Sequence, residues 1–202
     1  MTASCPTSSE SPADTSPTSS LKFENLYNLI DAMMLFGAQL DRIRDRCRLA
    51  VKRDERAWPS LVWAAATWEM QDGHIELMRM TATASTKPSI TFTTGTSRLL
   101  MCAHRRWYST GRMAIPNDIK ITRESLAFWL VGTMAGKISR ATSIHIVTPF
   151  MQHETAEWIA RDIENVGGWK CEVKGRGMVM ETAAVTAWLD RILPRKVWDA
   201  HA

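Results

Sequence analysis

The residues able to do chemistry in this chain are few, and most familiar catalytic arrangements are missing from it. Its four cysteines, Cys5, Cys47, Cys102 and Cys171, stand far apart with no CxxC pair. That spacing argues against a zinc site or a disulfide framework and fits a reducing or neutral compartment. No Ser/His/Asp set, Gly-rich phosphate loop or metal-ligand cluster is recognisable. One carboxylate has a suggestive place: Asp72, followed by Gly73, closes the apolar run 61–70 and would stand at the foot of a buried helix. Its neighbour His74 reads as a solvated or hydrogen-bonded histidine at a helix end.

The bases are more numerous. Net charge is +4, and residues 1–20 contain Glu10 and Asp14 but no Lys or Arg, which leaves +6 on the rest of the chain. A basic body attracts phosphate backbones through counterion release, although many enzymes are equally basic. Residues 38–56 hold seven bases against four acids. Read as a helix, this run is either a solvated face with internal ion pairs or a basic helix laid along a nucleic-acid backbone. Arg42, Arg46, Arg98, Arg105, Arg106, Arg112, Lys120, Lys137, Arg140, Lys170, Lys174 and Arg176 are the candidate phosphate contacts. Of the nine tryptophans, Trp68, Trp129, Trp158 and Trp188 fall in predicted helices and read as core. Trp107 is the candidate for stacking on a base.

These groups have to be positioned by a mixed set of elements. Residues 1–20 are mostly Ser, Thr, Pro and Ala and cannot bury enough apolar surface to fold alone. Residues 21–58 read as a charged helical extension, with Leu26, Ile30, Met33, Met34, Phe36, Leu40 and Ile43 at helical spacing. Helices are predicted at 61–70, 97–108, 124–134, 153–165 and 183–193, and strands at 75–81, 90–94, 142–148, 169–174 and 178–181. The face of the 142–148 strand is open. Simple alternation buries Ile144 and Ile146, whereas anchoring the strand on Phe150 turns them outward. Two successive sets of helices and strands, 59–120 and 121–202, make an α+β protein of two repeats. No stretch approaches 18 consecutive apolar residues, so no transmembrane helix is expected.

The segment from Arg106 to Lys137 carries a more specific likeness. Trp107-Tyr108-Ser109-Thr110-Gly111-Arg112-Met113-Ala114-Ile115-Pro116, followed by Ser125-Leu126-Ala127-Phe128-Trp129-Leu130, resembles the junction between the two halves of monomeric LAGLIDADG homing endonucleases. The resemblance extends in scattered blocks over about residues 60–198. It implies two αββαββα repeats, with saddle-like sheets around two central packed helices. It also implies an acid at the foot of each central helix, the pair holding a divalent cation at the scissile phosphates.

Carried onto this chain, the first motif is 65–73 and retains Asp72. The second is 126–134, where Thr133 stands at the acid position and Met134 replaces the glycine. The interval from Asp72 to Thr133 implies a shortened first repeat. With one acid lost, the resemblance implies a chain that no longer cuts: not an enzyme, with no metal or other cofactor and Asp72 vestigial. The expected role is binding structured RNA (ribosomal RNA) among neighbouring proteins of an organellar ribonucleoprotein. The mitochondrial ribosome in the organellar matrix is the expected setting, without membrane or small-molecule substrate. The alternatives are a maturase-like intron-splicing factor, a DNA endonuclease or nickase using Asp72, and a scaffold whose groove is filled by polypeptide.

Overall fold

The computed structural model describes residues 26–69, 74–80, 87–134, 142–147, 151–175 and 177–193. Asp72, Lys137, Arg140 and Arg176 lie outside them. The first helix, α1 (Leu26–Leu35), buries nearly all of its second half. It ends at Gly37, whose φ of 93° is the left-handed conformation that glycine adopts without a steric cost. The Gly37 N–H donates to Met34 O at 2.9 Å and the Ala38 N–H to Met33 O at 2.8 Å. This paired closure stops the helix and turns the chain sharply.

After Gly37 the chain is extended, which corrects the helical reading of the basic run. Strands β1 (Gln39–Ile43) and β2 (Arg46–Asp54) form an antiparallel hairpin. The signal was present in the residues: Cys47, Leu49 and Val51 alternate inward with period two, between Arg46, Arg48, Ala50 and Lys52. Next come α2 (Trp58–Glu69), β3 (Ile75–Met80), β4 (Ser89–Thr94) and α3 (Arg98–Trp107). Ser97 caps α3 by accepting the Leu99 N–H at 3.1 Å. The four strands form one antiparallel sheet in the order β1-β2-β4-β3, with α2 and α3 packed on its inner face.

The first repeat is therefore not shortened. It holds three helices and four strands and begins at α1, because β1 and β2 are integral to its sheet. The described residues of the 21–58 segment are thus part of that repeat and not a helical extension to it. The apparent shortening arose from counting the interval from α2 instead of α1.

The second half runs α4 (Arg123–Met134), β5 (Ser143–Val147), α5 (His153–Gly167), β6 (Cys171–Lys174), β7 (Gly177–Glu181) and α6 (Thr182–Ile192). Its described strands form an antiparallel sheet in the order β5-β7-β6, with α5 and α6 on one face. Ile144 and Ile146 are buried while His145 and Val147 are exposed, so simple alternation sets the register of β5. Along β6, the Cys171 N–H donates to Glu164 Oε1 at 2.8 Å.

The two halves meet where α1 packs against α4, and this is the most extensive helix–helix contact. A polar clamp fixes α1 to the other side of the core. Asp31 lies in the middle of α1 and is 6% exposed. Its carboxylate accepts both oxygens' worth of hydrogen bonding from the Arg106 guanidinium, at 2.7 and 2.8 Å, and a third bond from Trp107 Nε1 at 2.8 Å. Arg106 Nε also donates to Asp118 at 2.8 Å, tying in the loop that leads to α4. Burial pushes the Asp31 carboxyl above its ordinary value, against the pull of Arg106 and Trp107.

Asp31→Ala leaves the Arg106 charge half-buried without its main partner. It is expected to destabilise the fold by about 3–5 kcal/mol, the usual range for removing one member of a buried pair. Urea unfolding at constant pH measures this, and a loss under about 1 kcal/mol would show that the clamp is dispensable.

Candidate nucleic-acid interface

The central helices end side by side, at Phe36-Gly37-Ala38 for α1 and at Thr133-Met134 for α4. Their close approach is recorded by Gly132: a Cβ there would come within 2.5 Å of the Phe36 ring. Phe36 in turn meets Phe128 edge-on, with centroids 5.7 Å apart. The first central helix is α1, whereas the 65–73 motif begins in α2; Asp72 itself lies outside the described residues. Thr133 is where the sequence placed it, in the last turn of α4. Its Oγ1 donates to Trp129 O at 2.8 Å, an internal helix bond.

A cation that sequence reasoning missed sits at the foot of α1. Arg53, the last inward residue of β2, donates from its guanidinium to Phe36 O. It also lies over the Phe36 ring, 4.7 Å from the centroid. Burial draws the Arg53 pKa below its ordinary arginine value. The guanidinium thus meets the negative end of the α1 dipole at a carbonyl the helix leaves unpaired. A Cβ at Gly37 would collide with that guanidinium, so glycine is required there by space as well as by φ. Among the described residues no group of three or more His, Cys, Asp and Glu is placed to hold a metal ion.

Each sheet also turns one face away from its packed helices, and these outer faces are surfaces on which a large ligand could lie. On the first sheet, register puts Ile43 beside Arg46, Asp41 beside Arg48, and Gln39 in a row with Ala50, Thr93 and Glu76. The next row is Lys52, Thr91 and Met78. Arg46 and Lys52 are exposed and extend from β2, whereas Arg48 is held by Asp41 at 3.1 Å. The side chains of β4 on this face are short hydroxyls, Ser89, Thr91 and Thr93. Such a surface reaches phosphates and sugars more readily than base edges deep in a groove.

The second sheet turns Ser143, His145 and Val147 outward from β5, opposite Glu181, Val179 and Gly177 of β7. Glu172 and Lys174 of β6 share that face. Lys170 and Lys174 both bridge to Glu172, at 3.3 and 3.4 Å.

Among the described residues, the predicted phosphate contacts do not converge. Arg46 is on the first sheet's outer face. Arg42 is exposed on the opposite side of β1 and donates to Arg44 O at 3.2 Å. Arg98 and Arg105 are exposed on α3, which covers the inner face, and Arg98 lies 3.9 Å from Asp45. Arg112 and Lys120 are exposed in the segment between α3 and α4. Arg106 is committed to the core clamp, and Trp107 is fully buried, so neither offers itself to a ligand. Arg48, Lys52 and Arg53 were overlooked because a helical reading hides which residues of β2 share a face.

The model of the LAGLIDADG DNA endonuclease family matches residues 61–186, and the chain belongs to that family. A solved structure, the homing endonuclease I-WcaI bound to its DNA recognition sequence, shares the fold. Its TM-score is 0.60 at 13% identity, over 83% of this chain and 82% of that one. No characterised protein matches in a sequence search. The family description names DNA endonucleases and points to a nuclease, which overturns the expectation that the chain is not an enzyme.

Gly132→Ala tests the helix contact. The methyl group would gain about 1 kcal/mol of helix propensity, but must displace a ring wedged against Phe128 and Arg53. A net loss of about 1–3 kcal/mol is expected, partly recovered when Phe36→Leu is added. A net gain in thermal stability for Gly132→Ala alone would show that the helices are not in close contact there.

Proposed function

We propose that the protein binds nucleic acid on the outer face of its first sheet and that its target is structured RNA. The observation that carries this reading is an outer face on which β2 presents two exposed cations, Arg46 and Lys52, with Lys52 directly beside Thr91 of β4 and Thr93 in the next row. Six residues of strand set these cations about 20 Å apart, a spacing that suits phosphates several nucleotides apart or on opposite strands of a duplex. Hydroxyls beside them suit sugar 2′-OH groups, and RNA helices are recognised mainly by shape and by such contacts. The proposed setting is an organellar ribonucleoprotein, the mitochondrial ribosome in the matrix, where neighbouring proteins share the RNA.

A second reading is the activity the family description names, cleavage of DNA. For that reading the acids that directly follow Arg53, Asp54 and Glu55, are candidates to approach a scissile phosphate beside the helix feet. Asp54 is exposed, and its Oδ1 accepts the Arg56 N–H at 3.0 Å.

Fluorescence anisotropy with duplex RNA and duplex DNA of one sequence, over a salt series, separates the readings. Lys52→Ala and Arg46→Ala should each weaken RNA binding several-fold and reduce the slope of log K against log salt by about 1. Tighter and sequence-dependent binding of DNA would sink the RNA reading. Nicking of supercoiled plasmid with Mg²⁺, abolished by Asp54→Asn, would establish the second. Copurification with mitochondrial ribosomal subunits tests the proposed setting.

A further inference from the structure

As a set the predicted phosphate contacts diverge, but three of those that miss the outer sheet face gather on the helix side, beside a fourth arginine. Arg42 points to the α3 side of β1: burial, and then the Arg42 charge, draw the half-buried His104 of α3 below the ordinary histidine value. Arg42 Nε donates to Arg44 O at 3.2 Å, which folds the side chain along the β1–β2 turn. Arg98, at the start of α3, reaches the same turn and lies 3.9 Å from Asp45. Arg105 follows about two helical turns on, roughly 10 Å along the axis and on the same exposed stripe. The charge here is nearly all of one sign, for α3 contains no acid. Of the nearby acids, Asp41 is held by Arg48 and Asp118 by Arg106, which leaves Asp45.

The backbone at Arg44 is a second, independent observation. Among the described residues it is the one non-glycine with positive φ, at 58°. Glycine or asparagine adopts that left-handed conformation readily and is favoured in such hairpin turns, whereas longer side chains adopt it at a cost. An arginine there keeps a guanidinium at the tip against local preference, and an outlier of this kind points to function.

We propose that the β1–β2 turn and the outer stripe of α3 hold the backbone of a second nucleic-acid segment, separate from the one on the outer sheet face. Sheet and helix, roughly 20 Å thick together, stand between the two surfaces. A straight duplex lying on one therefore does not reach the other. Phosphate suits the stripe better than a protein does. A protein interface needs an apolar centre, and α3 exposes no large hydrophobic side chain; Cys102 is what stands between Arg98 and Arg105. The inference holds whether RNA or DNA is the ligand of the first sheet.

Cys102 also supplies the readout. The test uses the full chain and a duplex one helical turn long, as RNA and as DNA, with the rate of Cys102 alkylation by a maleimide followed by peptide mapping. At saturation at least one duplex is expected to slow the reaction about fivefold or more, with protection fading as salt rises. Arg44→Gly combined with Arg105→Ala should remove the protection, whereas Arg46→Ala combined with Lys52→Ala should leave it in place. Arg44→Gly alone should hold or raise the melting temperature while it weakens protection, because the turn then has the residue it favours. Arg44 and Arg105 are both exposed, so the fold tolerates their loss. Alkylation slowed by neither duplex, or protection that survives Arg44→Gly with Arg105→Ala, overturns the proposal. So does protection lost equally in the Arg46→Ala/Lys52→Ala chain, which would put Cys102 under the outer-face ligand. Stronger protection by a Leu/Glu helical peptide than by both duplexes would overturn it in favour of an acidic protein. Protection of Cys102 in a chain whose duplex affinity ignores Arg46 and Lys52 supports it and speaks against the first sheet's reading alone.

Discussion

A carboxylate buried in the middle of an apolar helix is costly unless its charge is answered in place, and Asp31 sets that requirement at the centre of this fold. Arg106 answers it with two hydrogen bonds and Trp107 with a third, so α3 can dock against α1 only in the register that brings those two residues opposite Asp31. Arg106 then reaches Asp118, and the loop into α4 is drawn toward the same point. Since α4 must also pack on α1, the clamp helps align the two halves. Hydrophobic burial drives that association, but it is non-directional; the polar contacts choose one arrangement among several that would bury similar area.

The helix feet show a second layer of the same logic. Gly132 lets α4 approach until the Phe36 ring fills the gap, and Arg53 closes over the other side of that ring while satisfying the end of α1. Three elements, α1, β2 and α4, thus share one aromatic side chain. A family fold that places carboxylates near this position in its better-known members here carries glycine, alanine and threonine on the helix ends, with a guanidinium beside them. The positive group at the feet is thus committed to the end of α1 and to the Phe36 ring.

Much of the architecture was legible in the residues. All of the second half's described helices and strands follow the expected periodicities, and the β5 face follows simple alternation because Ile144 and Ile146 outweigh any anchoring by a later aromatic. The first half was misread at one place, Gly37. Helical spacing through Phe36 continues by coincidence into Leu40 and Ile43, and the dense charges of 42–56 suit a solvated helix as well as a strand. Only the alternation of Cys47, Leu49 and Val51 breaks the tie. That one slip moved the first central motif from α1 to α2, made Asp72 look like a vestige of the motif's acid, and made a full repeat look short. The roles of Arg106 and Trp107 were beyond reach for a different reason: their partner, Asp31, lies about 75 positions away, and no local pattern announces such a contact.

The bond between Glu164 and the Cys171 N–H bears on how the chain guards an open sheet edge. Among the described strands β6 is an edge, and edges offer unpaired amides that can recruit a strand from another molecule. Here a helix side chain already occupies one of those amides, and Lys170, Glu172 and Lys174 crowd the same short strand with charge. Stacking of one copy's sheet onto another's is obstructed at its first hydrogen bond. Addition of another strand along β6 is therefore disfavoured.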